Sequence, residues 1–168
     1  MKEPIFESGM SFSFSADAKD EKIDGGRANG VVGLKLVDFI FRHKNDMVFL
    51  EVKGSMNTDF LKPGAKKDHE EFLDKVKNGS LAQEELIPKC RGTYLFMHLM
   101  DELDGKIPAF AVLPEPFDTA DLMRIKDKME RLIAHEAPKP WKRKYAKLIG
   151  VFNRKTLNEV FKHTLTVS

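Results

Sequence analysis

Three features of the sequence predict an α/β fold, a central mixed β-sheet flanked by helices. Two segments rich in β-branched and aromatic residues, 31–41 and 47–53, stand on either side of the short polar turn His43-Lys44-Asn45-Asp46. Stretches with apolar residues at helical spacing follow, over 65–78 and 118–134. Further apolar runs at 108–113 and 146–152 alternate with those helices, as strands returning to one sheet do. The hairpin makes the first neighbours antiparallel and the helical crossovers add later strands, so the sheet is expected to be mixed.

Taken in order, Ser-Phe-Ser-Phe-Ser at 11–15 alternates strictly and predicts a half-buried first strand with Phe12 and Phe14 inward. The polar stretch 16–30, with Gly25, Gly26 and Gly30, reads as a long loop able to move. The run 31–41 is too continuously apolar for a one-sided strand and predicts a central strand covered on both faces. Segment 47–53 pairs with it as a hairpin. Ala65, His69, Phe72, Leu73 and Val76 share one face of a helix that stops at Asn78-Gly79. Ser80 and Gln83 have capping-box spacing for the next helix, which Pro88 should kink or divide. Its continuation, 89–103, is rich in Leu, Met, Phe and Tyr and is expected to be buried. A strand at 108–113 precedes a helix at 118–134 with Leu122, Ile125, Met129, Leu132 and Ile133 inward. A strand at 146–152 and a helix from Thr156 to about His163 close the order.

A length of 168 residues, 42% hydrophobic and 32% charged, suits one domain spanning 1–168 that buries about 70% of its unfolded surface. Internal repeats and low-complexity tracts are absent from the sequence. No apolar run reaches the roughly 18 residues of a membrane helix, and Met1-Lys2-Glu3-Pro4 lacks a signal-peptide core. A cytoplasmic protein with no membrane partner is therefore expected. A single cysteine, Cys90, rules out an internal disulfide, and the five histidines lack ligand spacing for zinc. Lys plus Arg number 28 against 26 acids, and a net charge of +2 neither requires nor excludes nucleic acid.

Local clusters carry more information than that net charge. Lys62, Lys66 and Lys67 form one basic group. Lys139, Lys142, Arg143, Lys144 and Lys147 surround Trp141 and Tyr145 in a second, mixing cations with aromatics as a nucleic-acid groove does. Trp141, Lys142, Arg143 and Lys144, with Lys62, Lys66 and Lys67, are the candidate nucleic-acid contacts. An exposed helix start and a solvated basic loop are the plainer alternatives.

The hairpin holds the chemistry. Side chains alternate along a strand, so Glu51 and Lys53 share a face with Met47 and Phe49, while Val48, Leu50 and Val52 take the other. A turn centred between Lys44 and Asn45 sets Asp38 opposite Glu51. Directly opposed residues have Cβ atoms roughly 4.5–5.5 Å apart, close enough for two carboxylates to grip one divalent cation. Without compensation they repel, and burial among Leu36, Ile40 and Phe49 raises the cost of ionising both. Lys53 offsets one of the two charges.

Val37-Asp38, followed by Glu51-Val52-Lys53 at the end of the next strand, resembles the PD-(D/E)XK nuclease superfamily, to which restriction endonucleases, Holliday-junction resolvases and many repair and phage nucleases belong. The order of strands and helices agrees over most of the chain. The resemblance implies a restriction-endonuclease-like core and a Mg2+ (or Mn2+) ion held by Asp38 and Glu51, with the Val52 carbonyl as a further donor. It implies that Lys53 orients or activates the attacking water, and that the substrate is nucleic acid, with DNA favoured. Magnesium's preference for oxygen ligands agrees with that donor set. Val37 stands where many members carry proline, a position that varies in the superfamily. The family's upstream glutamate has two candidates here, Glu7 and Glu21. Some branches carry Gln-x-x-x-Tyr on the helix after the hairpin; here Cys90 and Tyr94 stand at that spacing with Lys89 and Arg91 beside them, so Tyr94 is the candidate contributor. A homodimer or a partner subunit would let so small a nuclease reach both strands.

Two alternatives stay open at the level of sequence. Asp38, Glu51 and Lys53 can form a salt-bridged cluster at a sheet end, and the chain can be a catalytically inactive nuclease-fold module for nucleic-acid binding or assembly. Retaining three charges among apolar neighbours favours use over structure.

Overall fold

The computed structural model describes residues 2–27, 33–54, 65–115, 117–135 and 144–168. The backbone polar groups of its most apolar segments are satisfied in a five-stranded sheet of order β3-β4-β5-β6-β7. These strands are β3 (Asp20–Lys22), β4 (Phe39–His43), β5 (Asp46–Gly54), β6 (Ala109–Glu115) and β7 (Leu148–Val151). β3, β4 and β5 run antiparallel, and β6 and β7 add in parallel. The hairpin turns at Lys44-Asn45, with Lys44 in the left-handed region at φ 56. Phe39 pairs with Leu50 and His43 with Asp46, which is the predicted register.

Alternation then builds two cores. Met47, Phe49 and Ile40 point to one face, where helices α1 (Ala65–Asn78), α2 (Ile87–Leu99) and α3 (Thr119–His135) cover them. Ile125, Met129 and Ile133 of α3 face inward as their spacing predicts, and Leu122 is buried with them. Phe39, Phe41, Val48, Leu50 and Val52 point to the other face. A second, three-stranded antiparallel sheet covers that face together with α4 (Arg154–Phe161). Its order is β1-β2-β8, from β1 (Ile5–Glu7), β2 (Met10–Phe14) and β8 (Leu165–Val167). The aromatic contacts Phe12–Phe39, at 4.9 Å, and Phe41–Phe161, at 5.2 Å, join the layers. The chain is thus an α/β protein with a mixed sheet flanked by helices, and among the described residues no helix is long and apolar enough to cross a membrane.

Several expectations are corrected. The run 31–41 is not one strand, and the central strand is β5. Of the run's described residues, 33–41, only those from Phe39 on join the ladder, as the start of β4; the Val37 N–H donates to Thr93 Oγ1 of α2, and the Val37 and Asp38 carbonyls accept from Asp24 and Ile23. Leu36 and Val37 are buried all the same, and apolarity alone does not distinguish a buried extended segment from a paired strand. The stretch 16–30 is not all loop, because Asp20-Glu21-Lys22 pairs with the outer edge of β4 despite its poor β-propensity. Its charges suit an edge strand, which must resist further pairing. The first strand belongs to the smaller sheet rather than the central one.

Ser80 forms no capping box: it is already helical, and 81–86 is a wide helical turn running directly into α2. Pro88 sits in the first turn of α2, where its missing N–H costs nothing, so it divides the helical stretch as expected. α2 stops at Leu99, short of residue 103, with Asp101 at φ 58. α4 starts two residues early because Asn153 caps it, accepting from the Thr156 N–H at 2.8 Å.

Candidate active site

Asp38 is the residue at which the chain leaves the ladder. The next partner for the Val52 N–H would be the Val37 carbonyl, but that carbonyl is turned toward Asp24. The Asp38 carboxylate takes its place, with Oδ2 accepting from the Val52 N–H at 2.7 Å. A strand residue's N–H and C=O leave on the same side, so the Val52 carbonyl also points toward Asp38. Glu51 follows Leu50, the last β5 residue paired with β4, and lies on the helix-covered face with Phe49.

Glu51 is completely buried, and neither carboxylate oxygen receives a hydrogen bond of good geometry. Its nearest cations are ammonium groups held by charge. Lys89 Nζ lies 2.9 Å from Oε1, and Lys53 Nζ lies 3.3 Å from the same atom. Lys89 also stands 3.7 Å from Asp38 Oδ1 and 3.6 Å from Asp24 Oδ2. Lys53 has a second anchor in Glu85 Oε2 at 3.0 Å, and Lys75 holds Glu85 in turn at 3.2 Å.

The electrostatics follow from burial and proximity. Burial first, and the Asp38 charge second, push the Glu51 carboxyl up to about 8, against the opposing pull of Lys89 and Lys53. Burial also raises Asp38, opposed by Lys89 and the Val52 N–H. Desolvation works to lower Lys89 and Lys53, but the carboxylates around them prevail and both ammonium groups stay charged. In the protein alone the acid pair is therefore reluctant to carry two negative charges.

Two of these groups suit a hard cation. Magnesium binds through one or two carboxylates, retaining waters or substrate oxygens for its other positions. Asp38, Glu51 and the Val52 carbonyl are oxygen donors, and the buried Glu51 oxygens have ammonium neighbours but, among the described residues, no hydrogen bond of good geometry. Among the described residues, no three His, Cys, Asp or Glu side chains are grouped closely enough to hold a metal by themselves. A cation here would complete its coordination with solvent or substrate.

The other candidates divide. Glu7 ends β1 beside this site, where the neighbouring Ser8 packs on Gly54. Its charge reaches Asp38, although its carboxylate pairs with Lys22 at 2.8 Å. Glu21 pairs instead with Arg27 at 3.2 Å, and Arg27 also holds Glu102. Tyr94 stacks on His98 and meets Tyr145 across a groove lined also by Leu34 and Leu95, and its described contacts do not bring it to the acids. The α2 residues turned toward the hairpin are Lys89 and Thr93, each one position earlier than Cys90 and Tyr94. Two polar side chains four apart on an apolar helix were the available signal.

Lys67 is exposed and faces Glu71 at 3.7 Å, and Lys144 is exposed. Tyr145 is buried and offers no stacking surface. Lys62, Lys139, Trp141, Lys142 and Arg143, with the side chain of Lys66, lie outside the described residues. Compared with family models, with curated proteins and with solved structures, the chain matches none.

Proposed function

We propose that this chain is a Mg2+- or Mn2+-dependent nuclease of the PD-(D/E)XK type, hydrolysing phosphodiester bonds in DNA. The observation that carries the reading is Glu51, a wholly buried carboxylate without a well-formed hydrogen bond, beside Asp38 and Lys53. Both acids lie toward the carboxyl end of β5, where parallel pairing with β6 continues, and open α/β sheets bind ligands at such ends. A divalent cation, when bound, polarises a phosphoryl oxygen and acidifies a coordinated water.

The side chains have distinct tasks. Asp38 and Glu51 hold the cation, with the Val52 carbonyl on the same side. Glu51 must release its proton to do so. Lys53, fixed by Glu85, orients the attacking water and offsets charge gathering on the phosphoryl group. In this reading the enzyme works in the cytoplasm, as a homodimer or with a partner subunit.

A second reading is favoured by Lys89. With Lys53 it gives the acid pair two counter-charges, as a salt-bridged cluster in an inactive binding or assembly module would have. Incubating plasmid, linear duplex, single-stranded and branched DNA, and RNA, with magnesium or manganese separates the readings. The nuclease reading expects cleavage that chelator and Glu51→Ala abolish, and that Lys53→Ala slows by 10²-fold or more while metal binding persists. No cleavage of any substrate by folded protein selects the module.

A further inference from the structure

We propose that Lys89 is a tethered stand-in for the divalent cation: its ammonium occupies the cation's place between Asp38 and Glu51 until the cation drives it toward Asp24. The inference rests on reading those two acids as cation ligands. The Lys89 charge lowers the cost of ionising those two acids, against which burial and their mutual repulsion work in the protein alone.

The geometry distinguishes the two lysines. Lys53 is clamped between Glu51 and Glu85, and Glu85 is itself fixed by Lys75. Among the described residues, Lys89 has one short acid contact, 2.9 Å to Glu51, and two longer ones at 3.6 and 3.7 Å. The ammonium thus leans on several acids at once, with Glu51 the nearest, rather than being fixed between two as Lys53 is.

An exit lies beside it. Asp24 is 57% exposed on its side chain and belongs to the turn 23–27, where Gly25 takes φ 68. Lys89, 14% exposed, thus spans from the buried acid to a surface acid. A flexible four-carbon stem lets its ammonium shift to Asp24 without losing every partner. A dication arriving at Asp38 and Glu51 attracts them more strongly than a single charge does and repels Lys89 in the same step. Cation loading is then an exchange, and Lys89 weakens it.

The test is Mn2+ binding to the wild-type chain, Lys89→Met and Lys89→Gln, followed by calorimetry and by thermal unfolding. Gln, one atom shorter than Lys, keeps a hydrogen-bond donor without the charge, and serves if the Met variant fails to fold. Without metal, both variants should melt below wild type. With Mn2+, both should bind roughly ten- to a hundredfold more tightly and gain more in Tm than wild type does. Equal or weaker binding by the variants overturns the proposal while leaving the metal site intact. Absence of binding in all three chains overturns the cation site and the proposal together. Tighter binding by the variants in a protein that cuts nothing supports the proposal and removes the nuclease reading.

Discussion

At the scale of single residues, Glu51 couples stability to pH. Its carboxyl sits at about 8 in the folded chain against an ordinary value of 4.5, so between those values the folded state holds a proton that the unfolded chain has released. Stability from this group is therefore present below about pH 4.5 and falls as pH rises toward 8, by at most about 1.4 kcal/mol per pH unit. Glu51→Gln should flatten that slope and make the metal-free protein more stable than wild type at pH 8, as read by urea unfolding at pH 5, 7 and 8. A cation must expel the same proton, so its affinity should rise over the same window. Thr93 offers a second residue-scale test. Its hydroxyl accepts from the buried Val37 N–H at 2.9 Å and donates to the Lys89 carbonyl at 2.8 Å. Thr93→Val keeps the shape but orphans that N–H, and should cost about 1–3 kcal/mol in denaturant unfolding.

At the scale of elements, the seating of α2 on the chain before β4 sets where Lys89 reaches. Gly92 is the point of closest approach: a Cβ there would meet the Lys35 carbonyl oxygen at 2.2 Å, and backbone cannot swing aside as a side chain can. Gly92→Ala should push the helix off the segment holding Leu34–Val37 and cost about 1–3 kcal/mol. Because Lys89 lies three residues earlier on the same helix, that variant should also alter Mn2+ affinity, whereas a substitution at exposed Met123 on α3 should leave it unchanged. Calorimetry on the two variants checks this. β5 is the other positioning element: β4 pairs with it as far as Leu50, and the parallel ladder to β6 continues through Gly54 and holds Glu51 and Lys53 in fixed alternation.

For the whole molecule, the site joins elements distant in sequence: the end of β1, the turn after β3, the hairpin, and the helical region 81–99. Anything that binds only this assembly stabilises all of it. At a hundred times its dissociation constant, a divalent cation should contribute about 2.7 kcal/mol and raise Tm by roughly 5–10 °C for a chain of this size. Scanning calorimetry with magnesium or manganese should show that gain in wild type and lose it in Asp38→Asn. An equal gain in Asp38→Asn would locate the cation elsewhere.

The hairpin register, the faces of β5 and the inward residues of α3 were legible in the sequence alone, because these follow from short-range periodicity and a two-residue turn. Strand β3 was illegible, since Asp-Glu-Lys becomes a strand only when the edge of β4 is available to it. The same holds for the exit of 34–38 from the ladder, where Thr93, 56 residues away, supplies a hydrogen bond that a neighbouring strand would otherwise give. Lys89 was visible only as a neighbour of Cys90, because one residue of helical phase, 100°, decides whether a side chain meets the acids, as Lys89 does, or the apolar core, as Cys90 does. Only tertiary structure fixed that phase, through the fit of Gly92 against Lys35. It thereby decided which cation the buried carboxylates hold.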